Sequence, residues 1–394
     1  MLLDWARHAD RPRGDRRQGA ALNRVTRWAR RGKIAIMAAR FVPGLQLAGE
    51  FYAEVVRPLL EAAYPGMAYS AALLGWGSEV LGFDSPRSVD HNWGPRLQVF
   101  PAAGTGPDAG EIAAMLSRKL PGSFRGHPVV FPNSQDPGAA ARHWVEVTGL
   151  VPWLQGQLGF DPTRQIGLLD WLATPVQRLA EVTAGAVFHD EPGELTRVRS
   201  RLAWYPRDVW LYVLACQWQR IGQEEAFPGR CAEAGDELGS VIVTARLARD
   251  LMRLCLLMAR RYPPYSKWLG TAFAQLPEAA GIAPALAGAV SAADWLTREQ
   301  HLCRAYEMAA TLHNQLGLTP PLEPETRPFH DRPYQVPDAG RFTAALREAI
   351  TDPRVRRLPA IGAIDQFIDS TDALSDLQLP RATCTAAIQP RHLE

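Results

Sequence analysis

The chain has 394 residues, 47% hydrophobic and 21% charged, the composition of a folded protein with two domains of ordinary size. No apolar run reaches the roughly 18 residues a membrane-spanning helix needs, so no membrane partner is expected. The formal net charge of +2 is uneven: residues 1–36 carry nine Arg and Lys33 against three Asp, and the remainder sums to −5. The body therefore offers no net basic surface, and nucleic acid is not the expected partner. Residues 1–36 are expected to be a flexible basic extension or an overextended gene start ahead of Met37, with a nucleic-acid arm as the alternative.

Five cysteines (Cys216, Cys231, Cys255, Cys303, Cys384) are odd in number and widely spaced, and none forms a Cys-x-x-Cys pair. This pattern suggests neither a zinc ribbon nor a disulfide framework. Reduced thiols in a cytoplasmic protein are the expectation.

In chain order, Phe51, Val55, Leu59 and Leu60 recur at helical spacing, predicting a helix over 48–63. Residues 69–74 read as a buried strand and 97–100 as the next, close enough to pair antiparallel. A helix is expected at 110–120, a short strand at 129–131, and helical or mixed structure at 141–158. The apolar run QIGLLD (165–170) reads as a strand ending in Asp170. Thr174-Pro175 then starts a helix.

From Tyr205 the pattern becomes helical throughout. Helices are predicted from Pro206 to about Gln223, over 233–262 up to Pro263-Pro264, over 292–316 up to Gly317, and over 341–351. Residues 318–337 read as a loop. The fold class is thus α/β (α+β): a small mixed sheet with flanking helices over 37–200, a helical domain over 201–378, and a loose tail over 379–394.

The segment LLGWGSEVLGFDSPRSVDHNWGPRLQVF (73–100) carries the main chemical signal. A strand ends at Gly77-Ser78, eleven residues follow, and Asp90-His91-Asn92 leads into the next strand. Glycine lets backbone approach a phosphate closely. A serine hydroxyl and N–H groups at a helix start can hold phosphate oxygens. Residues i and i+2 of a strand share a face, so Asp90 and Asn92 can share one metal. The bland alternative is a turn or strand edge whose polar residues satisfy backbone. His91, facing the other way, is expected in the core.

The pattern Gly-Ser, about a dozen residues, then Asp-x-Asp resembles the signature of the polymerase-β-like nucleotidyltransferase superfamily. More narrowly, GSEVLGFDSPRSVDHNWGPR is similar to an uncharacterised bacterial family of that superfamily, a domain of unknown function. The likeness continues through DWLATP, EVTAGAVFHD, WYPRDVW, QEEAF and YPPYSKWLG. It implies a nucleotide triphosphate at Gly77 and Ser78, and magnesium at Asp90, Asn92 and a third carboxylate. Asp170 fits that third place, or else caps a helix before Trp171. Asn92 stands where a second carboxylate is usual. Its amide oxygen can coordinate, but it binds a hard cation more weakly and cannot act as a base.

Only three lysines stand against forty arginines. Lys267 is expected to neutralise phosphate, with Gln223, Glu224, Glu225 and Asp236 as further polar candidates in the helical domain. His189-Asp190-Glu191 reads as a turn. The implied function is magnesium-dependent transfer of AMP from ATP to a small-molecule acceptor. The alternatives are nucleotide binding with weakened or no catalysis, an ATP-dependent adenylating ligase of biosynthesis, and modification of a protein or tRNA.

Overall fold

A computed structural model describes residues 41–90, 93–104, 106–131 and 142–388, with Asp90 described in its backbone only. The 1–36 extension, His91 and Asn92 lie outside the described residues. Among those described, no helix is long and apolar enough to cross a membrane.

The chain divides into two compact units. The first holds residues up to Thr163 together with Glu181–Arg201, and the second holds Arg164–Ala180 and everything from Leu202.

The first unit opens with α1 (Gly44–Phe51), a π turn (Tyr52–Val56) and α2 (Arg57–Ala63) in continuous succession. After it come β1 (Tyr69–Leu73), a 3-10 turn (Ser88–Asp90), β2 (Leu97–Pro101) and α3 (Ala109–Lys119). Asp108 and Glu111 close a capping box on α3, which satisfies two otherwise orphaned N–H groups. Two short hairpins follow, β3 (Ser123–Phe124) with β4 (His127–Pro128) and β5 (Val130–Phe131) with β6 (Arg142–His143), then β7 (Val145–Val147) and α4 (Leu150–Leu158).

The main sheet has the order β7-β2-β1-β8, where β8 is Ala186–Asp190. β1 pairs antiparallel with both β2 and β8, and β2 pairs parallel with β7. One face places Tyr69, Ala71, Leu97, Val99 and Val145 in a core with Leu47, Phe51, Val56, Leu60, Ile112 and Leu116. Alternation turns Phe100 to the other face, where its ring meets Trp153 of α4 at 5.4 Å.

The second unit is helical. It contains α5 (Leu168–Ala173), the start of α6 (Val176–Thr183), α8 (Arg207–Glu224), α9 (Phe227–Glu233), α10 (Glu237–Met258), α11 (Ser266–Ala274), α12 (Ala279–Ser291), α13 (Trp295–Gln315) and α14 (Gly340–Glu348). The intervening α7 is Glu194–Leu202. α8 is buried on every side from Val209 to Trp218, as expected of a helix central to its unit. The end of the described chain adds α15 (Pro353–Arg356), a 3-10 turn (Ile364–Gln366), α16 (Thr371–Ser375) and α17 (Gln378–Ile388).

Two expectations are corrected. Residues 165–170 form no strand: Leu168–Ala173 is helical, because the Asp170 carboxylate accepts from the Gly167 N–H at 2.8 Å and closes the first turn. The tail is helical through Ile388 rather than loose, because Cys384 and Ile364 bury against Ala173 and Leu169.

Candidate functional site

The Gly-Ser turn begins where β1 ends, and the strand exit is fixed on both sides. From β2, the Gln98 side chain accepts from the Leu74 N–H at 3.0 Å and donates to the Leu74 carbonyl at 3.3 Å. On the other side, the Gly75 N–H donates to the Glu181 carbonyl and the Gly185 N–H to the Val80 carbonyl, both at 2.9 Å. Gly185 has φ +70°, and a Cβ there would lie 2.0 Å from the Leu73 carbonyl oxygen; only glycine permits that approach. Arg199 of α7 donates to the carbonyls of Val182, Thr183 and Ala184. A guanidinium at the last carbonyls of a helix suits the helix dipole, and here it sets the turn that leads into β8.

The turn itself wraps around one guanidinium. Arg96 is 4% exposed and Glu79 2%. The Arg96 Nε donates to Glu79 Oε1 at 2.8 Å, and Nη2 lies 2.7 Å from the same oxygen. Nη2 also donates to the Trp76 carbonyl, and the guanidinium stacks on the Trp76 ring at 4.1 Å. Gly77 has φ +131°, and a Cβ there would lie 2.3 Å from Arg96 Nη2 and 2.7 Å from Glu79 Oε2. Arg96, Glu79 and Gly77 therefore define one backbone shape. Ser78 follows half-buried, and its carbonyl accepts from the Phe83 N–H at 2.8 Å. Trp76 stays 48% exposed at the rim.

Between the turn and β2 the chain folds into turns rather than a regular helix. The Asp84 carboxylate accepts from the Gly44 N–H at 2.7 Å and from Trp93 Nε1 at 3.0 Å. Ser88 Oγ accepts from the Ser85 N–H at 3.0 Å. Asp90 ends the 3-10 turn Ser88–Asp90, ahead of a β2 that starts only at Leu97. The expected placement of Asp90 on the strand is therefore corrected. The physical reason is local: Ser85 and Ser88 satisfy each other's backbone and favour a turn over an extended run.

The remaining sequence-derived residues lie in the second unit. Asp170 sits in the first turn of α5, with one carboxylate oxygen on the Gly167 N–H and the other accepting from Arg381 Nη1 at 2.7 Å. Both oxygens thus have structural partners, and Asp170 is not on a sheet strand. Lys267 is exposed, its ammonium 4.8 Å from the Trp268 ring centroid. Glu224 pairs with Arg246 at 2.6 Å, Glu225 accepts from the Ala339 N–H at 3.0 Å, and Asp236 caps α10 through the Gly239 N–H at 2.8 Å. Each has a structural duty. Among the described residues no three His, Cys, Asp or Glu side chains converge as a metal-ligating group; the Asp90 side chain and Asn92 lie outside those residues.

Two residues that shape the turn, Glu79 and Arg96, were not singled out in the sequence. The available signal was a carboxylate directly after Gly77-Ser78 and an arginine just before an apolar strand. His189 and Asp190, expected in a turn, end β8 instead. The Asp190 carboxylate accepts from Ser70 Oγ at 2.7 Å and from the Thr196 N–H at 2.8 Å. Burial opposes its charge, and the bonds from Thr196 and Ser70 overcome that and hold its pKa below the usual carboxylate range.

A family model described as a domain of unknown function (DUF4037) matches residues 171–269. The match runs from the end of α5 to α11 and takes in the segments EVTAGAVFHD, WYPRDVW and QEEAF. It does not reach the Gly-Ser turn. No curated protein matches the chain.

Proposed function

We propose that this chain is a magnesium-dependent nucleotidyltransferase of the polymerase-β-like kind, moving AMP from ATP to a hydroxyl on a small molecule. The observation that carries the reading is the Gly77-Ser78 turn at the exit of a central strand, with a backbone held by Arg96 and Glu79 and no room for a side chain at 77. A glycine turn with a half-buried serine beside it supports a phosphate-binding reading through its backbone N–H groups and the serine hydroxyl. Gly77 and Ser78 would hold the triphosphate.

Asp90 and Asn92 would hold magnesium, as a carboxylate and an amide oxygen, both hard donors that suit that ion. Asp170 does not fit this donor set, since each of its oxygens is already engaged. When bound, magnesium would neutralise charge on the phosphates. In the reaction the acceptor oxygen would bond to the α-phosphorus, the bond from that phosphorus to the bridging oxygen of the β-phosphate would break, pyrophosphate would leave, and the hydroxyl proton would pass to solvent.

A second reading, binding without turnover, is favoured by one residue. Asn92 gives the metal no charge and cannot take a proton from the acceptor. Calorimetric titration of ATP with magnesium tests the binding step on the native chain, Asp90→Ala and Asn92→Asp. Binding that is lost in the first variant and tightened in the second is expected; no binding in any of the three would sink both readings. Pyrophosphate release during an acceptor screen then separates transfer from binding alone.

A further inference from the structure

Tryptophan is large and mostly apolar, so a folded chain normally covers most of it. Among the described tryptophans only Trp76 is left exposed. It stands directly before Gly77 in the chain. Its Cα therefore lies within about 7 Å of the Ser78 Cα, two residues on.

The exposed ring is held in place. The Arg96 guanidinium lies over it at 4.1 Å. Arg96 is itself buried, bonded to Glu79 and to the Trp76 carbonyl, so the support beneath the ring is fixed. Trp144, between β6 and β7, meets the indole edge-to-face, with ring centroids 6.4 Å apart and planes at 81°. Phe131 stacks on Trp144 at 3.7 Å. An indole braced in this way and left uncovered suits a flat ligand, because little side-chain freedom remains to be lost on binding.

Charge narrows what can stack there. Cations are drawn to aromatic faces, but this ring already carries a guanidinium, and a second cation would meet its like charge. An anion would meet the negative face of the indole. A neutral planar π-system meets neither obstacle. Position narrows the choice further. Phosphate held at Gly77-Ser78 and a flat ring against the residue before them are the two ends of one nucleotide.

We propose that Trp76 is the platform on which the nucleobase of the bound nucleotide stacks, with Arg96 as the positioning residue beneath it. The inference rests on the nucleotide reading of the Gly-Ser turn and adds to it the group that recognises the base.

The test is calorimetric titration of the full chain with magnesium-ATP and, separately, with magnesium-tripolyphosphate, which has the phosphates and no base. Trp76→Ala removes the ring and keeps the backbone carbonyl that Arg96 uses. Trp76→Phe keeps a smaller ring that can still stack. Base–aromatic stacking of ordinary strength makes Trp76→Ala bind magnesium-ATP about 10- to 100-fold more weakly than the native chain. Its affinity for tripolyphosphate should stay at the native value, and Trp76→Phe should recover most of the lost ATP affinity. Native ATP affinity in Trp76→Ala would overturn the proposal. So would an equal loss of both probes, which would make Trp76 a brace of the turn and not a platform. A native chain that binds neither probe would sink the nucleotide reading itself, and the platform with it.

Discussion

Arg96 does three things with one side chain: it neutralises Glu79, satisfies the Trp76 carbonyl and supports the exposed Trp76 ring. Because the Arg96–Glu79 pair is almost fully buried, its members are coupled in an asymmetric way. Removing one partner leaves a buried charge unpaired, at a cost of about 3–5 kcal/mol, while replacing both can be nearly neutral. Arg96→Met should therefore destabilise strongly in urea denaturation, and the double variant Arg96→Met/Glu79→Met should recover much of the loss. Equal destabilisation by the double and the single variant would show that the pair is not the brace described here. Gly77→Ala tests shape rather than charge. It adds a Cβ 2.3 Å from Arg96 Nη2 at a φ of +131°, a backbone state that costs L residues of order 1–3 kcal/mol. The expected outcome is a folded but less stable protein that has lost most of its affinity for magnesium-ATP. Undiminished affinity would remove the turn from the nucleotide site.

At the level of elements, Asp170 shows how one residue type serves two readings. In the sequence, QIGLLD is an apolar run of strand length, and such runs cannot be told from short buried helices by periodicity. The helix forms because Asp170 reaches back to the Gly167 N–H and Arg381 holds its other oxygen. That second partner is 211 residues away and invisible to a local pattern. β8 escaped notice for a similar reason: AVFHD follows directly on a helical pattern and becomes a strand by pairing with β1. By contrast β1, β2 and their antiparallel pairing were legible, because each is a continuous apolar run of strand length. The Gly-Ser turn was legible as a motif, but its brace was not, since nothing local joins Glu79 to Arg96. The structural reading of Asp170 makes a definite forecast. Asp170→Ala should lower stability by about 1 kcal/mol, the usual worth of such a cap, and leave magnesium-ATP binding in place. Loss of binding without loss of stability would instead make Asp170 a metal ligand.

At the scale of the whole molecule, half-buried carboxylates tie long segments down and make stability depend on pH. Residues 318–337 form a loop, as expected, apart from a short pairing of Arg327–Pro328 with Gln335–Val336, and the loop lies as a strap because side chains of neighbouring helices accept its backbone N–H groups. Glu307 accepts from Thr326, Glu299 from Gln335 and Asn314 from Leu322, and Glu225 accepts from Ala339 just beyond. Burial pushes the Glu225 carboxyl up to about 7, with nearby Asp338 adding to the rise while the Ala339 N–H and Arg341 oppose it. A carboxyl whose folded pKa is raised binds its proton more tightly in the folded state. It therefore contributes stability below its unfolded value of 4.5, and that contribution is lost as pH rises toward 7. His313 acts in the opposite sense. Burial lowers its pKa to about 4, so its contribution is complete above 6.5 and is lost as pH falls toward 4. The two effects oppose each other between about 4.5 and 6.5, each on the order of 1.4 kcal/mol per unit of pKa difference. Glu225→Gln removes one of them and keeps a side chain able to accept from Ala339. Urea midpoints of the native chain and the variant across pH 4.5–7 separate the contributions. Relative to the native chain, the variant should gain ground as pH rises, because it no longer carries the cost of ionising a buried carboxyl. Parallel pH profiles would mean that Glu225 titrates as an ordinary surface carboxylate and that the strap is held without it.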